Sequence, residues 1–151
     1  MGKVSSSIVV PGRIATAEDL WYDLARWPAF VDGFAAVVQC DTPWPAAGGK
    51  LIWDSTPHGR GRIIERVTAH GAREGQTVEF EDERLEGTQR VSFAGEGEQT
   101  RVGLVLDYRL KDRNPLTPIV DLLFVRRAVG DALRRTLTRY ARELQADLEL
   151  S

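Results

Sequence analysis

The amino-acid sequence predicts one α+β domain, in which a long C-terminal helix covers a seven-stranded antiparallel sheet. Three observations in the 151-residue chain lead to this fold class. A strand and two short helical segments come first, apolar residues then recur with a period of two over residues 35–111, and a long stripe at helical spacing ends the chain. Because a sheet with one apolar face must be covered, the helix has to pack on it. If the sheet curls around the helix, we expect a cavity between them.

The first third of the chain is predicted to form one strand and two short helices. Residues 4–10 are predicted as the strand, which Pro11 ends. Thr16 is expected to be the N-cap of the first helix. Pro28 is expected to break that helix, so residues 29–34 are predicted as a second short helical turn that ends near a glycine.

Period-two alternation predicts six further strands, at residues 36–41, 50–55, 61–69, 76–82, 88–94 and 100–110. Short segments rich in glycine, proline and charged residues separate them, which indicates an antiparallel meander. The last strand has the clearest alternation, and one of its faces is apolar: Val102, Leu104, Leu106, Tyr108 and Leu110.

The C-terminal helix is predicted to begin at Asn114, with Pro115 in its first turn, and to end near Leu148. Its apolar stripe is Leu133, Leu137, Tyr140, Leu144 and Leu148. The opposite side carries arginines, which are either the solvated face of an amphipathic helix or a contact for RNA or a ribosome: Arg127, Arg134, Arg135, Arg139 and Arg142.

Composition and residue types exclude several classes of function. The 20 basic and 22 acidic residues give a net charge of −2, which argues against a general nucleic-acid binder. Cys40 is the only cysteine, so no intramolecular disulfide forms, and we expect it to be a small buried residue rather than a reactive thiol. His58 and His70 have no partner at metal-ligand spacing and look like turn residues.

We therefore expect no metal, and the lack of a glycine-rich phosphate loop or a nucleophile elbow argues against nucleotide cofactors and serine hydrolysis. No cofactor is predicted. No apolar run approaches the roughly 18 residues of a membrane span, and the N-terminus lacks the apolar core of a signal peptide. A cytoplasmic protein without membrane insertion is expected, as a monomer or a homodimer.

Glu65 is the first candidate for chemistry. Ile63, Glu65 and Val67 share one strand face, and Arg62 lies on the other. If the Ile63 face is inward, Glu65 is a carboxylate in an apolar cavity, suited to general acid or base catalysis. If that face is outward, Glu65 is solvated or paired near the rim.

Arg126 is the second candidate, because helix phase places it with Leu122 on the apolar seam. A buried arginine there requires Glu65 or an oxygen of a ligand as its partner. Alternatively, its aliphatic part packs and its charged group reaches the rim of the cavity.

Aromatic and aliphatic side chains of the strands are predicted to line the cavity or to fill the core. Tyr108 is inward and either donates a hydrogen bond to a ligand or packs with its hydroxyl at the rim. Phe80, Val91 and Phe93 are inward by alternation, and the face of Trp53 is left open.

Three segments resemble a known family: residues 7–11 with 17–24 (SIVVP and AEDLWYDL), residues 27–31 (WPAFV), and residues 97–102 (GEQTRV) followed by Tyr108. Together they are similar to the SRPBCC superfamily of START-like, helix-grip domains, in particular its bacterial polyketide cyclase/dehydrase branch. The resemblance covers nearly the whole chain and agrees with the predicted element order. It implies a helix-grip fold, in which the seven-stranded sheet is curved and wraps around the long C-terminal helix, and Trp27 and Phe30 close the cavity under that helix.

Members of this superfamily bind lipids, sterols, quinones, hormones or polyketides, and some catalyse cyclisation or dehydration, so the fold alone does not fix the function. The first hypothesis is binding of a small, largely hydrophobic molecule in the cavity. The second is an aromatic polyketide cyclase or dehydratase in which Glu65 is the acid/base and Arg126 and Tyr108 position the substrate. The third is a macromolecular partner bound by the arginine face.

Overall fold

The computed structural model describes residues 2–112 and 119–151 and has the predicted order of elements. The strands are β1 (Gly2–Pro11), β2 (Phe34–Asp41), β3 (Lys50–Ser55), β4 (Arg62–Gly71), β5 (Gly75–Glu81), β6 (Leu85–Glu96) and β7 (Gln99–Leu110). The helices are α1 (Ile14–Trp21), a 3-10 turn (Leu24–Arg26), α2 (Trp27–Phe30) and α3 (Ile119–Leu150). The predicted α+β, helix-grip fold class is confirmed.

All seven strands form one antiparallel sheet in the order β1-β7-β6-β5-β4-β3-β2, which leaves β1 and β2 at the edges. The alternation predicted for β7 is confirmed: Thr100, Val102, Leu104, Leu106 and Tyr108 are buried, and Arg101, Asp107 and Arg109 between them are exposed. The sheet curves around α3, which packs against β1, α1 and α2. This curvature leaves room between the central strands and the helix.

The core joins the inner face of the sheet, the short helices and the C-terminal half of α3. Leu133, Leu137, Tyr140 and Leu144 of the predicted stripe are buried. The ring of Tyr140 lies 5.3 Å from that of Phe30, between centroids, and its hydroxyl donates to the backbone carbonyl of Ala17. Leu148 was expected in the same stripe but is 43% exposed, because the last turn of α3 extends past this core.

Local predictions for the first helices need two corrections. α1 begins at Ile14 with Arg13 at its N-cap position, so Thr16 lies inside the helix and does not cap it. Pro28 lies in the first turn of α2 rather than breaking a helix, because a first-turn residue needs no hydrogen bond from its nitrogen. The predicted start of the last helix at Asn114 and Pro115 lies outside the described residues.

Ion pairs hold the C-terminal half of α3 against the short helices. Arg26 contacts Glu143 at 3.1 Å and Asp147 at 3.0 Å. Asp32, just after α2, pairs with Arg135 and Arg139 of the predicted arginine face. These two arginines stabilise the fold, which does not favour their use as a contact for a macromolecule.

The surface has two further features. Cys40 is exposed on the edge strand β2, so the expectation of a buried cysteine is wrong; β2 has neighbours on one side only. None of the helices in residues 2–112 and 119–151 is both long enough and apolar enough to cross a membrane.

Candidate functional site

A cavity of about 420 Å³ lies between the inner face of the sheet and the first half of α3. Its walls are mainly apolar. The sheet and short helices supply Trp21, Trp27, Trp53, Leu104 and Leu106, and α3 supplies Phe124, Val125, Val129 and Leu133. This is the space that the predicted curvature of the sheet requires.

Glu65 lies on the inner face of β4 and lines the cavity. Ile63, Glu65 and Val67 are buried, whereas Arg62 and Arg66 on the opposite face are exposed. The face of β4 that the sequence left open is therefore inward. In the register of β3 and β4, Leu51 lies opposite Glu65 and Trp53 opposite Ile63; all four side chains are buried, and Trp53 and Glu65 line the cavity.

The carboxyl group of Glu65 has a neutral hydrogen-bond donor as its direct partner. Trp53 Nε1 donates to Glu65 Oε2 at 2.9 Å. Burial raises the pKa of Glu65, and the hydrogen bond from Trp53 and the charge of Arg60 oppose that rise. A carboxyl group whose pKa is raised by burial in an apolar cavity has the chemistry of a proton donor or acceptor.

Arg60 and Asp82 form an ion pair beside Glu65, and both line the cavity. Arg60 Nε lies 2.9 Å from Asp82 Oδ2, and the side chain of Asp82 is only 2% exposed. The other oxygen of Asp82 accepts hydrogen bonds from the backbone nitrogens of Arg84, at 2.9 Å, and Leu85, at 2.8 Å. This loop therefore holds the carboxylate in place, and the carboxylate orients Arg60.

The guanidinium of Arg60 also lies against two aromatic rings. Its central carbon is 5.6 Å from the ring centroid of Trp53 and 5.5 Å from that of Phe80, within the range of a cation–π interaction. We define the polar end of the cavity as four residues: Trp53, Arg60, Glu65 and Asp82. The polar end combines a protonatable carboxyl group and a positioned guanidinium inside otherwise apolar walls.

A second polar group lies where α3 meets the loop after α2. Asp32 accepts hydrogen bonds from Arg135 Nε at 3.0 Å and from Arg139 Nη1 at 3.1 Å. Its backbone nitrogen donates to Thr136 Oγ1 at 3.0 Å. The hydrogen bond from Arg135 lowers the pKa of Asp32, against the effect of partial burial. Asp32, Arg135 and Thr136 all line the cavity.

Three of the predicted ligand-binding residues, Trp27, Trp53 and Glu65, line the cavity. Four others are buried but lie outside its lining: Phe30, Phe80, Val91 and Phe93. They belong to the packed core around the cavity, since the first half of α3 leaves space over the central strands only.

Tyr108, Leu122 and Arg126 also lie outside the lining of the cavity. Tyr108 is buried at the end of β7, opposite Gly2, and burial raises its pKa while the charge of Arg126 lowers it. Leu122 is half-buried and Arg126 is exposed. The expectation of Arg126 on a buried seam is wrong, because α3 passes there beside the edge strand β1, where Arg126 and Lys3 border an open groove.

Sequence reasoning missed Arg60 and Asp82. Asp82 follows Phe80 by two residues, so strand alternation would have placed both on the inner face. Arg60 lies in a turn between two glycines, where no periodicity indicates a direction. His58, interpreted as a turn residue, has a φ of 67° in that turn and lines the cavity as well.

Solved structures with the same fold cover almost the whole chain. A START superfamily protein from Mycobacterium smegmatis has a TM-score of 0.71 and 16% identity, over 95% of this chain and 97% of its own. The Zhui aromatase/cyclase from Streptomyces sp. R1128 has a TM-score of 0.75 and 12% identity, over 97% and 95%. The di-domain ARO/CYC protein StfQ from the steffimycin biosynthetic pathway has a TM-score of 0.77 and 15% identity, over 97% and 51%.

At these identities the likeness establishes the fold alone, and no curated protein matches the sequence. A family model described as "Polyketide cyclase / dehydrase and lipid transport" matches residues 1–145. The chain therefore belongs to the polyketide cyclase/dehydrase and lipid transport family.

Proposed function

We propose that this protein binds a small, largely hydrophobic molecule between the sheet and α3. The observation that carries the proposal is the cavity of about 420 Å³, whose walls are mostly aromatic and aliphatic and whose polar groups are concentrated at few points. Ligand sites in proteins typically have volumes of about 300–1,000 Å³, apolar walls and a few placed polar groups. Lipid, quinone and polyketide-like molecules have the matching chemistry.

Binding is tested by displacement of a fluorescent hydrophobic dye and by isothermal titration with aromatic, quinone and lipid panels. The matched variants are Ala132→Trp, which adds an indole to a residue lining the cavity, and Ala146→Trp, which adds it to an exposed site on the same helix. We expect Ala132→Trp to weaken binding about tenfold or more and Ala146→Trp to leave it within about twofold. Equal binding by both variants, or no binding by any panel member, would contradict the proposal.

A second candidate function is cyclisation or dehydration of a polyketide-like substrate. The observation that favours it is Glu65, a buried carboxyl group with a raised pKa beside an oriented guanidinium. In a ring closure, Glu65 would take a proton from a carbon next to a carbonyl and return it to the oxygen of the carbonyl that is attacked. The walls would hold the two carbons together and exclude water. Arg60 replaces Arg126 and Tyr108 as the group that positions oxygens, since those two lie outside the cavity lining.

Turnover of poly-β-ketone analogues by Glu65→Gln tests this candidate. The matched control is Glu79→Gln, the same chemical change at an exposed residue of β5. We expect Glu65→Gln to lower kcat about a hundredfold, in line with loss of a general acid/base, and the control to keep wild-type turnover. Full activity of Glu65→Gln would remove Glu65 from the reaction, and absence of turnover by the wild-type protein would leave ligand binding as the function.

A further inference from the structure

The charged side chains around the cavity are largely neutralised by each other. Arg135 pairs with Asp32 at 3.0 Å, and Arg60 pairs with Asp82 at 2.9 Å. The remaining cation of the lining, Arg84, is exposed to solvent. Within the described chain, the interior of the cavity therefore contains no buried cation that lacks a carboxylate partner.

Some donors and acceptors at the polar end nevertheless have no hydrogen-bond partner in the described part of the chain. Glu65 Oε2 accepts from Trp53, and its Oε1 has no donor among the described residues. Arg60 uses its Nε on Asp82, and its two Nη atoms donate to no acceptor in the described part of the chain. The polar end therefore offers donors without offering net positive charge.

We infer that the polar end binds an uncharged oxygen acceptor of the ligand, such as a ketone or quinone carbonyl, and disfavours a ligand carboxylate. The inference rests on the proposed function and names the ligand class for that cavity. A carbonyl oxygen gains hydrogen bonds from the Nη atoms of Arg60 and from the carboxylic acid form of Glu65 without adding charge. Burial favours that form of Glu65, since it raises the pKa.

A carboxylate would lose its hydration and lie beside Asp82 and Glu65, while the charge of Arg60 is already compensated. An ion that loses water without gaining a free counter-ion is strongly disfavoured in an apolar site. The cavity thus discriminates in two ways. It forms hydrogen bonds with the neutral molecule, and it offers a charged competitor no free counter-ion.

The test compares ligands that differ in one group, by isothermal titration with the full chain near neutral pH. The aromatic set is 2-acetylnaphthalene, 2-naphthoate and 2-ethylnaphthalene, and the aliphatic pair is 2-tridecanone and dodecanoate. We expect each ketone to bind about tenfold or more tightly than its carboxylate partner, and 2-acetylnaphthalene to bind severalfold more tightly than 2-ethylnaphthalene, the gain of about one hydrogen bond.

Two pairs of variants separate the contributions. Glu65→Leu should reduce the advantage of the ketone over the hydrocarbon about twofold or more, because only the Nη atoms of Arg60 then donate, and Glu65→Gln should keep it because an amide still donates. Asp82→Asn should narrow the ratio of ketone to carboxylate affinity about threefold or more, because it uncovers the charge of Arg60. Asp54→Asn removes the same charge from an ion pair with Arg62 on the outer face of β3 and should leave the ratio unchanged.

Every result of these titrations either supports or overturns the inference about the ligand. Carboxylates that bind as tightly as the ketones, or a Glu65→Leu variant that keeps the full advantage of the ketone over the hydrocarbon, would overturn the inference while leaving hydrophobic binding intact. Binding of other hydrophobic compounds without binding of either ketone would also overturn the inference. If no hydrophobic compound binds at all, the proposed function fails and this inference fails with it. If Asp82→Asn does not fold, the Glu65 pair decides alone.

Discussion

Trp53 Nε1 donates a hydrogen bond of 2.9 Å to Glu65 Oε2 across the neighbouring strands β3 and β4. Trp53 is also packed against Trp27, with ring centroids 6.1 Å apart at nearly a right angle, so the indole is held on two sides. The carboxyl group of Glu65 is thereby positioned, but its charge is not neutralised by this donor. Burial raises the pKa of Glu65, and the hydrogen bond from Trp53 opposes that rise without reversing it.

The raised pKa of Glu65 predicts a pH dependence of stability. In the folded chain Glu65 keeps its proton at pH values where the unfolded chain has lost it, so its contribution to stability is fully present in acid. That contribution falls as the pH rises from the ordinary glutamate pKa to the raised pKa of Glu65. We expect wild-type protein to lose stability relative to Glu65→Gln across this window, as measured by urea unfolding at a series of pH values. Parallel pH profiles would contradict it.

Asp82 is predicted to stabilise the loop between β5 and β6. Asp82→Asn keeps an oxygen for the backbone nitrogens of Arg84 and Leu85 but loses the ion pair with Arg60. Asp82→Ala loses all three contacts and leaves buried donors without an acceptor. We expect Ala to lower the free energy of unfolding by about 1–3 kcal/mol and Asn by less, as measured by chemical denaturation. Equal losses of unfolding free energy in the two variants would mean that the hydrogen bonds from the backbone nitrogens contribute nothing.

Asp32 is predicted to stabilise the junction between α2 and α3. Arg135 lowers the pKa of Asp32, so the contribution is present above the ordinary aspartate pKa and disappears as the pH falls through the lowered one. Since the arginines are about half exposed, Asp32→Asn should cost only about 0.5–1 kcal/mol at neutral pH, and less in high salt. The control is Asp54→Asn, whose pair with Arg62 is on the surface, and its loss should be smaller. A larger loss in the control would contradict the assigned role.

The positions of the strands were predictable because alternation is a local property of the chain. Which of the two faces of a strand points into the core is not a local property. Both faces of β4 contain an isoleucine and a charged residue, so the pattern left Glu65 undecided. The decision comes from the register with β3, where Leu51 and Trp53 lie opposite Glu65 and Ile63 and all four are buried. Pairing across strands is a tertiary fact that one segment does not contain.

Arg126 and Arg60 illustrate two further limits. Helix periodicity gives the angle of Arg126 about the axis of α3, but it does not say where along that axis the sheet stops covering the helix. Arg60 lies in a turn, and its side chain is directed by Asp82 and two aromatic rings from other strands. Periodicity within single elements therefore offered part of the lining as candidates, Trp53 and Glu65, but it did not indicate Arg60.

Gly75, at the start of β5, is predicted to be required for pairing with β6. Its φ of +143° suits glycine, and a Cβ there would overlap the backbone carbonyl of Val91, which is part of β6. Gly97 also has a positive φ, of +67°, but no heavy atom lies within 4 Å of the position of its Cβ. Gly75→Ala should therefore lower the free energy of unfolding by about 3 kcal/mol or more, from strain and overlap together. Gly97→Ala should lower the free energy of unfolding by only about 1–2 kcal/mol, because it strains the backbone without an overlap. Urea unfolding of the two variants checks the difference, and equal losses would show that the strands separate locally at Gly75 without cost.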